Sequence, residues 1–429
     1  MSVRGRSGLL RRHRDFRLLW CGETAGKYGS SVTSVAMPLV AVSTLHAGPF
    51  DVGLLSASAW LPWLLIGLPV GAWVDRTRRR PVMLAAAAAS FLLFALIPVA
   101  GWAGRLSVGL LVAVALLTGT AAVFFQTAYS AYLPLLLEPA DQPEGNAKLH
   151  GSASAAQIAG LGSAGLIGQA AGVVDAMFAN AGTFLVSILC LAGIRKREPR
   201  RDRAAARPRG ALLAEVGEGL RLVGRDPWLR SLTLFGAASN LALMGYQSIQ
   251  VVFLVHAVGL ADGAVGGLVA TTSLGGVVGA LVARRVAVLV GTARATVLFE
   301  LGATVLALLM PLASPGAGLL LFATGGFGVA AGVVAGNVIT AGFRQRYCPP
   351  ELLGRLTASS AFLNYGTIPL GALLGGWLGG VLGLRTAMWI TTAGVPIAAL
   401  VLLLSPVGRV RDLPTAPAPA VPPLLPHPA

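Results

Sequence analysis

Runs of about 20 apolar residues recur along the whole of this chain, and a helical run of that length matches the hydrocarbon thickness of a bilayer. Only 12% of the 429 residues are charged, while 55% are hydrophobic. Soluble domains average about 25% charged residues, which they need to cover their surface. The sequence therefore excludes a soluble globular, a disordered and a fibrous protein, and it predicts a chain embedded in lipid.

Twelve such runs can be separated, and most of the connections between them are short. Short connections predict that neighbouring helices are antiparallel. We expect an all-α polytopic membrane protein with twelve transmembrane helices. The predicted spans are 19–44, 52–74, 82–102, 107–129, 147–172, 174–194, 229–257, 264–283, 294–313, 317–340, 356–380 and 386–406.

The net charge of +16 could indicate a nucleic-acid partner. The basic residues lie in short clusters between the apolar runs, however. With the N-terminus inside, only Arg105 and Arg385 fall outside and Lys27 lies within a span; the other basic residues face the cytoplasm. Because cytoplasmic loops are enriched in Lys and Arg, this predicts a cytoplasmic (inner) membrane location with both termini cytoplasmic. The charge then serves attraction to anionic lipid, and a nucleic-acid partner is unnecessary.

The two halves of the chain resemble each other, and matching positions are separated by a nearly constant number of residues. Gly71–Arg76 matches Gly279–Arg284, and glycine-rich runs in the fifth and eleventh spans also correspond. The repeat predicts two parallel six-helix units, of the kind found in transporters whose substrate site lies between the halves. The expected division is an N-terminal bundle (1–194), a basic linker with an amphipathic helix (195–227), a C-terminal bundle (228–406) and a proline-rich disordered tail (407–429).

Neither a metal nor a cofactor is expected. Cys21, Cys190 and Cys348 are far apart and form no CxxC pair, so we interpret them as small packing residues. The chain contains no GxxxxGK[ST] loop, which argues against pumping driven by ATP. We find no paired His and Asp at a membrane face and no nucleophile motif, so we do not expect an enzyme.

A glycine, an acid and several arginines close the second span. Gly71 permits close approach of another helix, and Asp75, one turn on, can meet a helix N-terminus or an arginine. The arginines that follow hold the loop inside the cell. The alternative is a plain basic loop. The residues that we assign to this motif are Gly71, Asp75, Arg76, Arg79 and Arg80.

This motif resembles the G-x-x-x-D-R-x-x-R-R signature of the major facilitator superfamily. The segments FRLLWCGETAGKYGSSVTSVAMPLVA and PPELLGRLTASSAFLNYGTIPLGALLGGWLGGVLGLR look like the branch that holds siderophore and macrolide exporters. The resemblance implies proton-coupled export of small organic molecules by a monomer. The chain departs from the family at Ser30 and Thr127, lacks an arginine in span four and a proline in GLGSAGLIGQ, and has Ala283 where the second half should repeat Asp75.

Charges within the spans are candidates for function, because a charge at the bilayer centre costs at least ~2.5–3.5 kcal/mol. Glu23 and Lys27 lie four residues apart and so share a helix face. They could line a cavity, with Glu23 as proton carrier or cation site and Lys27 as its partner or as an anchor for an anionic substrate group. Alternatively, they could form a self-satisfied salt bridge at a helix interface. Glu300 could take part in transport or be satisfied by Arg294 or the interface.

Uncharged polar residues within the spans could face a cavity or join helices to one another. In span seven, Asn240 and Gln247 are seven residues apart and share a face, which we expect to point toward the cavity. The residues predicted for the substrate cavity are Gln126, Gln157, Asn240, Gln247, Asn337, Asn364 and Tyr365.

The sequence thus predicts a secondary active transporter that works by alternating access. Proton-coupled efflux of a small amphiphilic compound, such as a drug, a siderophore or a secondary metabolite, is the leading hypothesis. The alternative is an importer or symporter of a small solute on the same fold, because alternating access is reversible.

Overall fold

A computed structural model describes residues 8–74, 76–196, 198, 217, 220–221, 223–348 and 350–416. Asp75, most of the basic linker with its predicted amphipathic helix, and residues 417–429 lie outside the described residues. Within the described residues the chain forms twelve long helices and no strand.

The N-terminal half holds six of these helices, and a short helical turn, Leu9–Arg12, precedes them. They are α1 (Arg14–Leu39, continued by a π-helical turn at Val40–Thr44), α2 (Pro49–Val74), α3 (Arg79–Trp102), α4 (Val108–Leu136), α5 (Gln142–Ala171) and α6 (Ala176–Ala192).

The C-terminal half repeats this arrangement. Its helices are α7 (Pro227–Val252, continued by a π-helical turn at Phe253–Ala257), α8 (Asp262–Val290), α9 (Thr292–Leu312), α10 (Leu319–Tyr347), α11 (Pro350–Leu382) and α12 (Leu384–Leu404).

Nine helices among the described residues are long and apolar enough to cross a membrane, and α6 is apolar but shorter. The predicted fold class is confirmed. Several helices run beyond the predicted spans: α4 continues to Leu136, α5 begins at Gln142 and α10 continues to Tyr347. Hydropathy marks only the part of a helix that matches lipid, whereas the backbone ladder continues into the headgroup region.

Helix ends are fixed by local hydrogen bonds. The Asp226 carboxylate caps α7, because its Oδ1 accepts from Trp228 N and Leu229 N at 2.9 and 3.0 Å. Pro227 follows at the first helical position, where a missing N–H costs nothing. Ser107 caps α4 in the same way through Leu110 N.

An even number of crossings places the start of α1 and the end of α12 on one face of the helix bundle. We call this the near face and its opposite the far face. The two halves meet mainly through α2 with α11 and through α5 with α8. These are the helices that hold the halves together around a central space.

Glycines allow the two halves to approach closely toward the far face. A Cβ on Gly53 of α2 would lie 2.9 Å from Gly376 Cα of α11, and one on Gly165 of α5 would lie 2.6 Å from Gly263 O of α8. Ser43 Oγ also donates to Asp262 Oδ1 across the halves at 2.9 Å. The space between the halves is therefore closed at the far face.

The chain after α12 differs from its sequence prediction. Residues 407–429 were expected to be a disordered tail, but residues 405–413, here the C-terminal strap, fold along the near face. Val407 and Leu413 are buried there, and Arg411 O accepts from Ala293 N and Arg294 N. Proline-rich composition suggested disorder, yet buried side chains and backbone hydrogen bonds fix the first part of this segment.

Candidate functional site

A cavity of about 830 Å³ lies between the two halves. Side chains from all six helices of the N-terminal half, α1 to α6, and from α7, α8 and α10 of the other half line it. A pocket of this volume accommodates a drug-sized molecule. The position between two repeated halves is where transporters of this architecture bind substrates.

The cavity contains one ion pair. Lys27 Nζ lies 3.5 Å from Glu23 Oε1, one helical turn away on α1. The Glu23 side chain is 8% exposed and that of Lys27 is 44% exposed. Of the described residues that line the cavity, only these two are charged. Within the cavity, the Lys27 side chain is therefore the exposed member of the pair, and the Glu23 side chain is buried.

Three of the predicted amides also line this cavity. Gln126 of α4, Gln157 of α5 and Gln247 of α7 approach it from both halves. Gln250, one turn beyond Gln247, lines it as well. Each amide can donate and accept hydrogen bonds, so together they can orient a polar group of an otherwise apolar molecule.

Asn240 and Asn364 do not belong to the described lining. Asn240 Nδ2 donates to Asn364 Oδ1 at 3.2 Å, and this hydrogen bond joins α7 to α11. Asn364 Nδ2 in turn donates to Ser360 O at 2.6 Å. The interpretation that the sequence left open, in which polar groups join helices, therefore describes this pair.

Asn337 and Tyr365 also lie outside the described lining, and both are exposed. The Tyr365 ring nevertheless lies close to two cavity residues, with centroids 6.1 Å from Trp60 and 5.7 Å from Trp63. It connects α11 to the aromatic residues of α2.

Trp60 and Trp63 form an aromatic wall that the sequence analysis missed. Both line the cavity from α2, and their ring centroids are 6.5 Å apart. Their spacing of three residues in Trp60-Leu-Pro-Trp63 was a signal that both rings share one helix face. Aromatic rings supply large apolar contact and attract cations to their faces.

Glu300 lies away from the cavity. It is 4% exposed on α9 and is not among the described residues of the lining. The expectation that it could be a cavity charge is therefore not met in this conformation.

The arginine motif ties α3 to α6 on the near face. Arg80 donates through Nε to Leu191 O at 2.9 Å and through Nη2 to Ala192 O at 2.7 Å. The Glu198 carboxylate accepts from Arg79 N and Arg80 N, and so caps α3. Arg76 lies in the turn between α2 and α3.

The close helix approach expected at Gly71 is not present in this conformation. Within the described part of the chain, a Cβ at this position would have no atom within 4 Å. Asp75, its predicted companion, lies outside the described residues. The Arg80 side chain of the motif is therefore engaged, whereas the glycine of the motif is unpacked.

The sequence of this chain is similar to the sequences of known proteins. The Major Facilitator Superfamily model matches residues 19–366. The chain is similar to the multidrug efflux pump Tap of Mycolicibacterium fortuitum, with 28% identity over 416 residues that cover 93% of this chain and 97% of that protein. It is also similar to the multidrug efflux pump Tap of Mycobacterium tuberculosis, with 29% identity over 404 residues, which are 90% and 92% of the two chains.

Solved structures share the fold. A bacterial homologue of the iron transporter ferroportin, in an inward-facing state, superposes with a TM-score of 0.75 at 15% identity over 93% of this chain and 99% of that one. The nucleoside transporter NupG superposes with a TM-score of 0.71 at 12% identity over 91% and 98% of the two chains. At such identities the likeness concerns the fold alone.

Proposed function

The chain belongs to the major facilitator superfamily, and on that premise we propose that it exports a small amphiphilic organic compound in exchange for protons. It is an integral membrane transporter of small molecules. The Glu23–Lys27 ion pair, which supplies the only charges among the described residues that line the central cavity, is the observation that carries the proposal. The similarity to proteins named multidrug efflux pumps supports the outward direction.

The ion pair provides a means of coupling. While Glu23 is ionised, its charge and that of Lys27 cancel. A proton on Glu23 leaves the ammonium of Lys27 unpaired, and the cavity gains one positive charge. In a site of low dielectric this charge repels a substrate that carries its own positive charge. Proton and substrate then displace each other, which is the requirement for exchange.

The walls of the cavity suit an amphiphile. Trp60 and Trp63 offer flat apolar surfaces, whereas Gln126, Gln157 and Gln247 offer hydrogen bonds. An apolar body with a few polar groups can satisfy both. Loose shape requirements of this kind favour several related substrates over a single one.

Alternating access follows from the arrangement of the halves. The far-face contacts at Ser43–Asp262, Gly53–Gly376 and Gly165–Gly263 must separate to open the cavity there. We infer that the near face is cytoplasmic and that the conformation here receives substrate from the cell. The unpacked Gly71 and the motif residues Asp75, Arg76, Arg79 and Arg80 would form the closing contact of the other state.

The remaining assignments rest on the charge pattern of the sequence. Basic clusters at the near face support a cytoplasmic (inner) membrane location with both termini cytoplasmic. We propose a monomer, with anionic lipid as its immediate partner, and a division into two bundles joined by a cytoplasmic linker.

Transport in vesicles tests the proposal. The purified chain is reconstituted in liposomes, a proton gradient is imposed, and the movement of ethidium, a cationic aromatic dye, is followed by fluorescence. We expect dye to move against the proton flux, and we expect Glu23→Gln to abolish this exchange. Glu138→Gln, which alters an exposed carboxylate between α4 and α5, is the matched control and should transport normally.

Two outcomes would contradict the proposal. Exchange that persists unchanged in Glu23→Gln would remove the proton role of this residue. Dye movement in the same direction as the protons would instead establish the importer or symporter that the sequence left as the alternative.

A further inference from the structure

Glu300 is a carboxylate buried within the C-terminal half, outside the described lining of the cavity that the proposed exchange uses. It follows the start of α9 at Thr292 by eight residues, which corresponds to about 12 Å along a helix. The residue is 4% exposed. Phe299, which precedes it in the chain, belongs with Ala335 and Ile339 of α10 to one buried apolar cluster of this half. An ionised carboxylate in such surroundings is strongly disfavoured.

The carboxyl group occupies space that a glycine provides. A Cβ on Gly336 of α10 would overlap Glu300 Oε1, so only glycine is compatible with this position of the side chain. Gly336 ends a glycine stripe along α10. A Cβ on Gly332 would lie 2.5 Å from Phe299 O, and one on Gly328 would lie 2.6 Å from Ala303 O. The two helices therefore touch backbone to backbone around Glu300.

The backbone of α9 is irregular at this point. It is α-helical over Thr292–Val297, π-helical over Leu298–Ala303 and 3-10 helical over Thr304–Leu312. The other π-helical turns of the described chain, Val40–Thr44 and Phe253–Ala257, are at helix ends. Changes of helix type within a helix frequently mark functional positions.

Among the described residues, the Glu300 backbone carbonyl accepts a side-chain hydrogen bond, whereas its carboxyl group has no hydrogen-bond partner. Thr304 Oγ1 donates to the backbone carbonyl of Glu300, where the helical ladder changes. No ion pair of the described residues includes Glu300. Charged groups on the elements around it lie toward their ends: Arg294 on α9, Arg344 and Arg346 on α10, Arg385 on α12, and Arg409, Arg411 and Asp412 on the C-terminal strap.

From this burial, the glycine contact and the break in the helix, we propose that Glu300 is a proton-binding site of the C-terminal half, separate from the substrate cavity. The carboxyl group is protonated while α9 and α10 are in contact. It releases its proton to water only when the two helices part far enough to hydrate the carboxylate. When they close again, water returns a proton to the carboxylate, so the proton is exchanged between the carboxyl group and water alone.

The site is mechanically linked to the cavity through α10. Gly326, Val329 and Val333 on this helix line the cavity, whereas Gly328, Gly332 and Gly336 pack against α9. A shift of α10 away from α9 would hydrate Glu300 and alter the cavity wall together. The proposal holds for either direction of transport, and it adds a second proton to the one assigned to Glu23.

Infrared spectroscopy of the full-length protein in lipid tests the proton directly. A protonated carboxylic acid has a carbonyl-stretching band that an ionised carboxylate lacks. The spectra of Glu23→Gln and of the double variant Glu23→Gln/Glu300→Gln are compared at neutral pH, so that the Glu23 carboxyl group is absent from both. We expect a protonated-acid band in the first that is missing from the second. Identical spectra would overturn the proposal.

A transport measurement separates a proton site from a packing role. Glu300→Gln should still bind and move ethidium, but the dependence of the rate on near-face pH should become flatter than in the wild type. Should the glutamine variant fail to fold, Glu300→Met, with a similar volume and no charge, replaces it in both measurements. An unaltered pH dependence in a folded variant would contradict the proposal, whereas failure of dye exchange in Glu23→Gln alone would leave it intact.

Discussion

Glu23 in the N-terminal half and Glu300 in the C-terminal half are both buried carboxylates, yet their surroundings differ. Glu23 has an ammonium partner at 3.5 Å and belongs to the cavity lining, whereas Glu300 packs against a glycine and lies away from the cavity. Neither is repeated: α7, which corresponds to α1 in order, and α3, which corresponds to α9, contain no Asp or Glu. The duplicated fold therefore has a buried carboxylate at a different helix position in each half.

The near-face ends of the halves are alike instead. In the N-terminal half, the segment after α6 returns to the start of α3, where the Glu198 carboxylate accepts from Arg79 N and Arg80 N. In the C-terminal half, the segment after α12 returns to the start of α9, where Asp412 Oδ1 accepts from Thr292 N at 2.8 Å. Both acids neutralise the positive end of a third helix. The two halves thus share the capping contact at the start of their third helix, whereas the charged residues within their helices differ.

The largest effect is expected for Glu23→Gln, and it distinguishes the function of Glu23 from that of Glu300. Glu23→Gln should abolish the exchange of dye for protons, because the cavity can no longer change its charge. Binding of ethidium should weaken on acidification in the wild type, since protonation of Glu23 leaves Lys27 unpaired, and this trend should vanish in the variant. Fluorescence titration over a pH series measures both. A dye affinity that rises on acidification would reverse the assigned sign.

Packing around the second carboxylate gives the next effect. Gly336→Ala should lower the free energy of unfolding by about 1–3 kcal/mol, because the added methyl overlaps the Glu300 carboxyl. Gly267→Ala on α8, where a Cβ has open space, should instead stabilise by about 0.5–1 kcal/mol. Thermal unfolding in detergent compares them. In the background of Glu300→Ala the cost of Gly336→Ala should shrink, and a cost that persists would exclude the overlap as its cause.

The capping acids should behave as a matched pair. Glu198→Ala and Asp412→Ala should each cost about 1 kcal/mol, since the first removes the acceptor of Arg79 N and Arg80 N and the second removes that of Thr292 N. Hydrogen exchange at the start of α3 should rise in the first variant, and at the start of α9 in the second. Exchange that rises in both halves for either variant would show that the two ends are coupled.

The smallest effect concerns the hydrogen bond between α7 and α11. A double-mutant cycle on Asn240→Leu and Asn364→Leu should give a coupling energy of about 0.6 kcal/mol, which is typical of hydrogen bonds between membrane helices. Dye affinity should remain that of the wild type, because neither side chain lines the cavity. Loss of affinity in the single variants would return these residues to the substrate site.

The position of a polar residue along the chain was a poor guide to its surroundings. Asn240 and Gln247 share a helix face by spacing, yet Asn240 bonds to α11 and Gln247 lines the cavity. The two residues are about two helical turns apart on α7. At Asn240 the helix is in contact with α11, whereas at Gln247 it borders the cavity. The sequence likewise shows that Glu300 is an energetically costly residue within a membrane span. Its contact with Gly336, however, depends on how α9 packs on α10.

The aromatic wall shows what sequence reasoning can overlook. Trp60 and Trp63 fit an apolar span and so offered no contrast with their surroundings, although their spacing placed them on one face. Only the packing of α2 beside the central space makes that face part of the cavity wall.

The sequence by itself determined the lipid environment, the twelve helices, the family signature and the ion pair on α1. These properties depend on apolar length, loop composition and neighbours within one or two helical turns, all of which are local along the chain. The tertiary structure alone decided which polar faces meet the cavity, which bond to other helices, and where the chain after α12 goes. Those outcomes depend on how helices distant in sequence rotate and pack against one another. In lipid, a polar side chain can be satisfied either by a water-filled cavity or by a hydrogen bond to another helix, and the sequence of its own helix does not distinguish the two.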